Sequence, residues 1–198
     1  MNNNCKLLLL LFVFCQSCSQ SIVMTTIIPD PLVAKIENIN LAVFYDDNIK
    51  NYQFENFNSD SGETTIKIDF ANSQVNLFNK ILQSFFPGLI ELTSKNNDYP
   101  NIDLYMESRL DAFELLSPTE SRNEKYAVWL KYKIDIYDHK KILLSNWLIT
   151  GYGEHGTESR GPESLMRALD LALRDVGVNL VIKIEDNFEK LIKTISTD

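Results

Sequence analysis

The most suggestive chemical motif in the sequence is a group of three glycines near the carboxyl end. Gly151, Gly153 and Gly156 have the spacing GxGxxG, which in dinucleotide sites lets the backbone approach a pyrophosphate at the start of a helix. Such a site needs a strand that leads directly into that helix. Here the next predicted helix begins only at Pro162, the strand belongs to an antiparallel pair, and Glu154 would place negative charge beside the phosphates. We therefore interpret the glycines as turn residues at the end of a strand.

The remaining candidates for catalysis and metal binding lack partners in the sequence. His139 and His155 are the only histidines, and neither has a cysteine or a second histidine at ligand spacing, so a zinc site is not expected. The acidic pair Asp46 and Asp47 lacks the glycine and the closing glutamate of an EF-hand loop. No serine stands in a GxSxG motif. The sequence therefore predicts a protein that is not an enzyme and that has no cofactor and no metal site.

The positions of the cysteines indicate how the chain is processed. They all lie within the first 18 residues, at Cys5, Cys15 and Cys18. Before the last two cysteines come Lys6 and the unbroken apolar run 7–14. A positive start, a short apolar stretch and a small-residue exit have the layout of a secretory signal, and the run is shorter than the roughly 20 residues that span a bilayer. We predict that residues 1–17 are a cleaved signal peptide.

The exit of this signal resembles the lipobox of bacterial lipoproteins. In that family a small residue precedes a cysteine that is diacylated and becomes the new amino terminus, and Ser17 before Cys18 matches this pattern. Cys15 and Gln16 depart from it, because the family usually has leucine where Cys15 stands. The resemblance implies a lipid such as palmitate on Cys18, which would anchor the protein to a membrane. Ser19 resembles the neutral residue of lipoproteins that are sorted to the outer membrane. The alternative is an ordinary secretory cut.

Length and charge limit the organisation and the partners of the chain. The 198 residues, 44% of them hydrophobic, suffice for one well-buried core. The net charge of −8 repels nucleic acid and anionic headgroups, so a basic or neutral protein partner is the class left open. We predict a signal peptide at 1–17, a lipidated tether at 18–35 and a single α+β domain at 36–198.

Hydrophobic periodicity predicts the elements of that domain. Alternating apolar residues predict strands near 39–45, 66–70, 102–116, 126–136 and 142–150, and helical spacing predicts helices at 73–85 and from Pro162 towards the end, with 46–62 as a loop. The connection 138–141 is short enough for a hairpin, so the last two strands should pair antiparallel. Lys131, Lys133 and Asp135 alternate with apolar residues, as in a sheet with one wet face. We predict an antiparallel sheet of about four to five strands with two helices on one face.

The two tryptophans, Trp129 and Trp147, lie on the strands of the predicted hairpin. They are expected either to stack as a cross-strand pair that stabilises the sheet or to form a partner-binding surface on the face that the helices leave open. We favour the structural role, and both interpretations remain open.

Together these features resemble small outer-membrane lipoproteins of Gram-negative bacteria, of the YajG and LptE types. The likeness rests on Cys18, strands 126–137 and 142–153 with their Trp-x-x-x-Gly-x-Gly ending, and the alanine-rich helix 165–175. It implies a non-catalytic accessory or assembly factor that is lipid-anchored on the periplasmic side of the outer membrane and docks on another envelope protein. The alternative is a small-ligand or lipid carrier, which needs an apolar cavity between sheet and helices.

Overall fold

The computed structural model of the protein describes six stretches of the chain: 19–24, 28–58, 64–95, 99–121, 123–156 and 162–195. The predicted signal peptide 1–17 and the predicted lipidation site Cys18 lie outside these residues. The chain divides into two compact units, a smaller one within Met1–Val23 and Gln53–Asp69 and a larger one within Met24–Tyr52 and Phe70–Asp198. Each unit has its own β-sheet.

Strands and helices alternate irregularly along the described residues, so the predicted α+β class is confirmed. The strands are β1 (Ser19–Val23), β2 (Leu41–Tyr45), β3 (Gln53–Asn58), β4 (Thr64–Asp69), β5 (Ile90–Glu91), β6 (Leu104–Leu116), β7 (Lys125–Asp138) and β8 (Leu143–Gly156). The helices are α1 (Asp47–Lys50), α2 (Ala71–Phe85), α3 (Pro118–Ser121) and α4 (Pro162–Ile195).

The smaller unit is a three-stranded sheet in which β4 lies between β1 and β3. β1 runs parallel to β4, and β3 runs antiparallel to it. The segment 46–62 is therefore not a single loop, as the sequence suggested, because it contains α1 and β3. Four of the six residues of β3 are polar, so its conformation rests on backbone pairing with β4 rather than on an apolar alternation. β1 lies in the segment 18–35 that was expected to be a tether.

The larger unit contains a five-stranded sheet in the order β5-β2-β6-β7-β8. β6, β7 and β8 are antiparallel neighbours, as the hairpin pattern predicted, whereas β2 runs parallel to both β5 and β6. The prediction of a purely antiparallel sheet is therefore wrong. α2 lies between β2 and β6 in the sequence, and a connection that long lets the chain cross over and enter the sheet again in the same direction.

Helices α2 and α4 cover one face of this sheet. Val128, Leu130, Tyr132, Ile134 and Ile136 of β7 are buried on that face, and the ring of Phe78 in α2 packs 5.2 Å from the ring of Tyr132. Between the sheet and the carboxyl half of α4 there is an opening of only about 10 Å³, too small for a ligand. The core of this layer is therefore solid in the part of the chain that the structure describes.

A buried polar chain ties the layers together. The Tyr132 hydroxyl donates to Oε1 of Gln74 at 2.6 Å, and Nε2 of Gln74 donates to the carbonyl oxygen of Ile49 at 3.4 Å. Burial raises the pKa of Tyr132 well above its usual value, so the hydroxyl stays protonated and keeps its role as donor. These bonds fix β7 against α2 and α1, because a shifted register would leave buried polar groups unpaired.

Candidate functional site

Two glycines of β8 allow α4 to cross this strand at close range. A Cβ atom at Gly151 would lie 2.7 Å from the backbone nitrogen of Val176, and one at Gly153 would lie 2.8 Å from Cβ of Leu171. Both glycines lie inside β8 on the face that α4 covers, so their interpretation as turn residues is wrong. Their spacing reflects helix–strand packing, because every second residue of a strand faces the same side.

Side chains of α4 also cap the outer backbone of β8 at this crossing. β8 is an edge strand, and edge strands expose unpaired N–H and C=O groups. The backbone N–H of Tyr152 donates to Oδ2 of Asp175 at 2.9 Å, and Nδ2 of Asn179 donates to the carbonyl oxygen of Thr150 at 2.9 Å. Residues 150–153, the covered half of β8, are therefore closed to another strand.

Beyond this crossing α4 moves away from the edge. Its residues Ile184 and Phe188 lie next to Trp147 and to Leu41 of β2, so the helix has turned towards the middle of the sheet. In the part of the chain that the structure describes, no helix residue forms a hydrogen bond with the outer backbone of residues 143–149, the open half of β8.

The direction of the backbone groups in the open half can be inferred from their direction in the covered half. Thr150 and Tyr152 direct their backbone groups outward, and alternate residues of an antiparallel strand behave alike. Asn146 and Leu148 therefore also direct N–H and C=O outward, and the register between them and β7 is regular. Within the described ranges no hydrogen bond reaches these groups.

Apolar side chains surround the open half and continue on the open face of the sheet. Ile142, Leu143 and Leu148 are each more than half exposed, at 57%, 54% and 55%. Trp129 and Tyr152 face each other across β7 and β8 and are 38% and 51% exposed. These five residues, the hairpin surface, place large apolar groups on a rigid pair of strands, which is typical of protein-binding sites.

The structure separates the two tryptophans that the sequence placed together. Trp129 pairs with Tyr152 and faces the side of the sheet opposite to α2 and α4. Trp147 pairs with Ile134, faces α4 and is 2% exposed. The two indole rings therefore lie on opposite faces and neither stack nor form one surface. Trp147 belongs to the core, and partner binding by Trp129 stays a prediction.

Polar contacts surround the aromatic pair on the open face. The Tyr152 hydroxyl donates to Glu154 at 2.9 Å, and this bond raises the pKa of Tyr152. Lys125 donates to the same carboxylate at 2.7 Å. The hydrogen bond from Lys125 makes the largest contribution to lowering the pKa of Glu154, and the bond from Tyr152 adds to it. Glu154 is thus charged at neutral pH, and the aromatic pair has a polar border like the rim of many interfaces.

Buried carboxylates hold the hairpin in shape. Asp135 accepts a hydrogen bond from Nη1 of Arg109 at 3.0 Å and another from Nδ2 of Asn146, which joins all three antiparallel strands. At the hairpin turn, Oδ1 of Asp138 accepts from the backbone nitrogens of Lys140 and Ile142 at 2.9 Å and 2.7 Å. The surface is therefore preorganised, which lowers the entropy cost of binding.

Positive charge gathers at the tip of the hairpin. Lys140 and Lys141 are consecutive and exposed, and the ammonium group of Lys141 lies 3.1 Å from the ring centroid of Tyr105. Lys133 stands beside Leu148 in the register of the open face. This cationic end contrasts with the net charge of −8 of the chain.

The residues considered for metal binding do not assemble in the structure. His139 is exposed at the hairpin tip, and His155 lies in β8 with its Nδ1 2.9 Å from the carbonyl oxygen of Gly156. Asp46 serves as the cap of α1, because its Oδ1 accepts from the backbone nitrogen of Asn48. In the part of the chain that the structure describes, no three histidine, cysteine or acidic side chains are placed to hold a metal ion.

An apolar groove lies on the outer side of the helices. It has a volume of about 560 Å³ and runs between segment 28–33, α2 and α4. Gly177 forms part of its floor, where a Cβ atom would lie 3.0 Å from Cδ1 of Leu77. Val178 and Ile182 line it and are about half exposed. This groove is not the cavity between sheet and helices that a carrier was expected to have.

Among the described helices, none has the length and apolar character that crossing a bilayer requires.

Comparisons with known proteins relate this chain by fold. No family model and no curated protein matches the sequence. A Xanthomonas campestris protein of the family DUF330 superposes with a TM-score of 0.54 and 13% identity, over 82% of this chain and 92% of that one. A hypothetical protein from Chlamydia trachomatis superposes with a TM-score of 0.44 and 8% identity, over 74% of this chain and 96% of that one. The chain thus has a fold similar to that of the DUF330 protein.

Proposed function

We propose that the protein is a non-catalytic envelope lipoprotein that acts as an accessory or assembly factor by docking on another envelope protein. The observation that carries this proposal is the hairpin surface: large apolar side chains exposed on the rigid strands β7 and β8. Aromatic residues on a fixed support contribute strongly to protein interfaces, because little side-chain entropy is lost when they bind.

The proposed location follows from the amino-terminal sequence. The apolar run 7–14 and the pair Ser17 and Cys18 have the order of a lipoprotein signal. Acyl chains on Cys18 would hold the domain at the outer membrane, since each buried methylene contributes about 0.8 kcal/mol and two or more chains anchor stably. The hairpin surface would then face proteins of the periplasm.

The anchor is tested by labelling with radioactive palmitate. Wild-type protein is expected to incorporate the label and to sediment with outer membranes, and Cys18→Ala is expected to do neither. A matched control is Cys15→Ala, which alters the signal but not the proposed acylation site. Equal labelling of wild type and Cys18→Ala would remove the lipoprotein proposal.

Docking is tested by photo-crosslinking inside the producing bacterium. A photoreactive amino acid at position 129 or 152 is expected to crosslink to a distinct envelope protein, which mass spectrometry identifies. The same amino acid at Glu189, exposed on α4, serves as the control position. If all three positions give the same pattern, the hairpin surface is not the docking site.

The groove favours a second function, binding of a lipid chain. Its volume of about 560 Å³ lies within the range of ligand sites, roughly 300–1,000 Å³. A fluorescent fatty acid is expected to bind wild-type protein and to bind Ile182→Glu at least about tenfold more weakly. Leu171→Glu, exposed on α4 outside the groove, is the control. Equal binding by all three proteins would exclude the groove as the binding site of the lipid chain.

A further inference from the structure

The two halves of β8 differ in the accessibility of their outer backbone. Asp175 and Asn179 cap Tyr152 and Thr150 in the covered half. Asn146 and Leu148 in the open half direct the same kinds of groups outward, and no described residue bonds to them. We propose that the open half of β8 binds an extended segment of a partner protein as an additional strand of the sheet. This inference rests on the proposed function and specifies how the docking occurs.

Backbone chemistry identifies an extended strand as the occupant. The N–H and C=O groups of Asn146 and Leu148 alternate along the edge as a neighbouring strand requires, and an incoming strand would satisfy all four. A helix has no free backbone groups to offer in its interior, since its own turns use them. Asn146 also donates to the buried Asp135, which ties this part of the edge to β7, and the regular pairing with β7 ends at a register shift between Ile136 and Tyr137.

The side chains around the open half set the chemistry of the segment. Leu148 is 55% exposed on the open face, so an apolar residue opposite it would bury both side chains. Lys133 stands next to Leu148 in the register, and Lys140 is exposed at the tip. Among the described residues neither lysine forms an ion pair, although Lys133 adds to the effect by which Lys131 lowers the pKa of Asp111. A segment fits this edge if it places an apolar residue opposite Leu148 and acidic residues two positions away, because residues two apart in a strand share one face, here the face of Lys133.

A second copy of this chain fits less well. The edge of a second copy would present Asn146, Leu148 and Thr150 on that face, and none of these three side chains carries the negative charge that Lys133 attracts. An acidic segment meets the lysines with opposite charge instead.

The experiment measures hydrogen exchange of the full chain in detergent with a synthetic peptide of about ten residues. The peptide carries valine and glutamate in turn at every second position, so that both face the same side, and threonine at the positions between. At about 1 mM peptide, exchange of the amides of Asn146 and Leu148 is expected to slow about tenfold, while amides elsewhere on the hairpin keep their rates. A peptide with N-methyl groups on its pairing edge, and one with lysine for glutamate, are each expected to bind at least about tenfold more weakly.

Two substitutions at Leu148 distinguish the contribution of its backbone N–H to peptide binding from the contribution of its side chain. Leu148→Pro removes the outward N–H without removing a bond to β7, since proline is tolerated at such edge positions, and is expected to weaken peptide binding at least about tenfold. Leu148→Ser keeps the N–H and is expected to weaken it only a few-fold. Should Leu148→Pro fail to fold, Asn146→Pro and the N-methylated peptide make the same comparison.

Three results would overturn strand addition. One is an N-methylated peptide that binds as well as its parent. Another is the absence of protection at Asn146 and Leu148; if crosslinks from positions 129 and 152 persist, docking stands and only its mode is wrong. The third is protection of these amides without peptide that grows with protein concentration, which would make a second copy the occupant.

Discussion

The covered half and the open half of β8 belong to one strand, yet they meet different surroundings. At the covered half, α4 packs on Gly151 and Gly153, and its side chains cap the edge backbone. At the open half the helix has turned inward, and Leu143 and Leu148 remain exposed. An edge strand is thus protected only where its neighbour passes close enough, and the path of one helix decides which part of β8 is protected.

The sizes of the side chains under α4 explain that path. At the covered half the strand contributes glycines and the helix contributes Ala168 and Ala172, so the two backbones approach closely. At the open half the strand contributes Trp147, whose indole fills the space below Ile184 and Phe188. Small residues on both elements thus let the helix pack closely on the strand. Where the strand carries the large Trp147, the helix lies towards the middle of the sheet.

The largest expected effect concerns neighbouring residues of the open half. Trp147→Ala would leave a cavity under α4 and is expected to lower the free energy of unfolding by about 3–5 kcal/mol. Leu148→Ala, one residue along on the other face, is expected to change it by less than about 0.5 kcal/mol. Urea denaturation measures both. Similar losses would mean that the inner and outer faces of the strand are not as distinct as described.

The next effect tests the close crossing at the covered half. Gly153→Ala places a Cβ atom against Leu171 and the backbone of α4, and is expected to lower the free energy of unfolding by about 1–3 kcal/mol. Gly156→Ala is the control, because nothing lies within 4 Å of a Cβ atom there, and its effect should be near zero. Thermal denaturation followed by circular dichroism distinguishes them. A neutral Gly153→Ala would show that the helix does not approach so closely.

The smallest effect tests the capping of the edge. Asp175→Ala removes the acceptor of the Tyr152 N–H and is expected to cost about 0.5–1.5 kcal/mol. The informative readout is hydrogen exchange, in which the Tyr152 amide should become as accessible as that of Leu148. Asp170→Ala, which loses only an ion pair with Arg174, is the control. An unchanged Tyr152 amide would indicate that Asp175 does not close this part of the edge.

Local sequence patterns predicted most of the individual elements. The alternation in β7 and the helical spacing of α2 and α4 are strong because each buries one side only. The direction of β2 was missed, because its partner β6 is about sixty residues away and periodicity carries no information on direction. β3 was missed because its residues are mostly polar.

The candidate site was predictable only in part. The exposure of Trp129 follows from the alternation of β7, but Trp147 was assigned with it because the register between two strands cannot be read from their spacing alone. The two glycines carried a signal: residues two apart in a strand face the same side, opposite an alanine-rich helix. Asp175 and Asn179, four residues apart beside the apolar stripe of α4, were a second signal of an edge contact.

The position of β2 constrains the order in which the larger sheet can be completed. β2 lies between β5 and β6, and both follow it in the chain. The antiparallel ribbon β6-β7-β8 closes through local contacts, which form fast, whereas β2 needs a contact of long sequence separation, which forms slowly. In an exported protein, which folds after it has crossed the membrane, β2 therefore stays unpaired, with Leu41 and Val43 exposed to water, until β6 has taken its place in the ribbon.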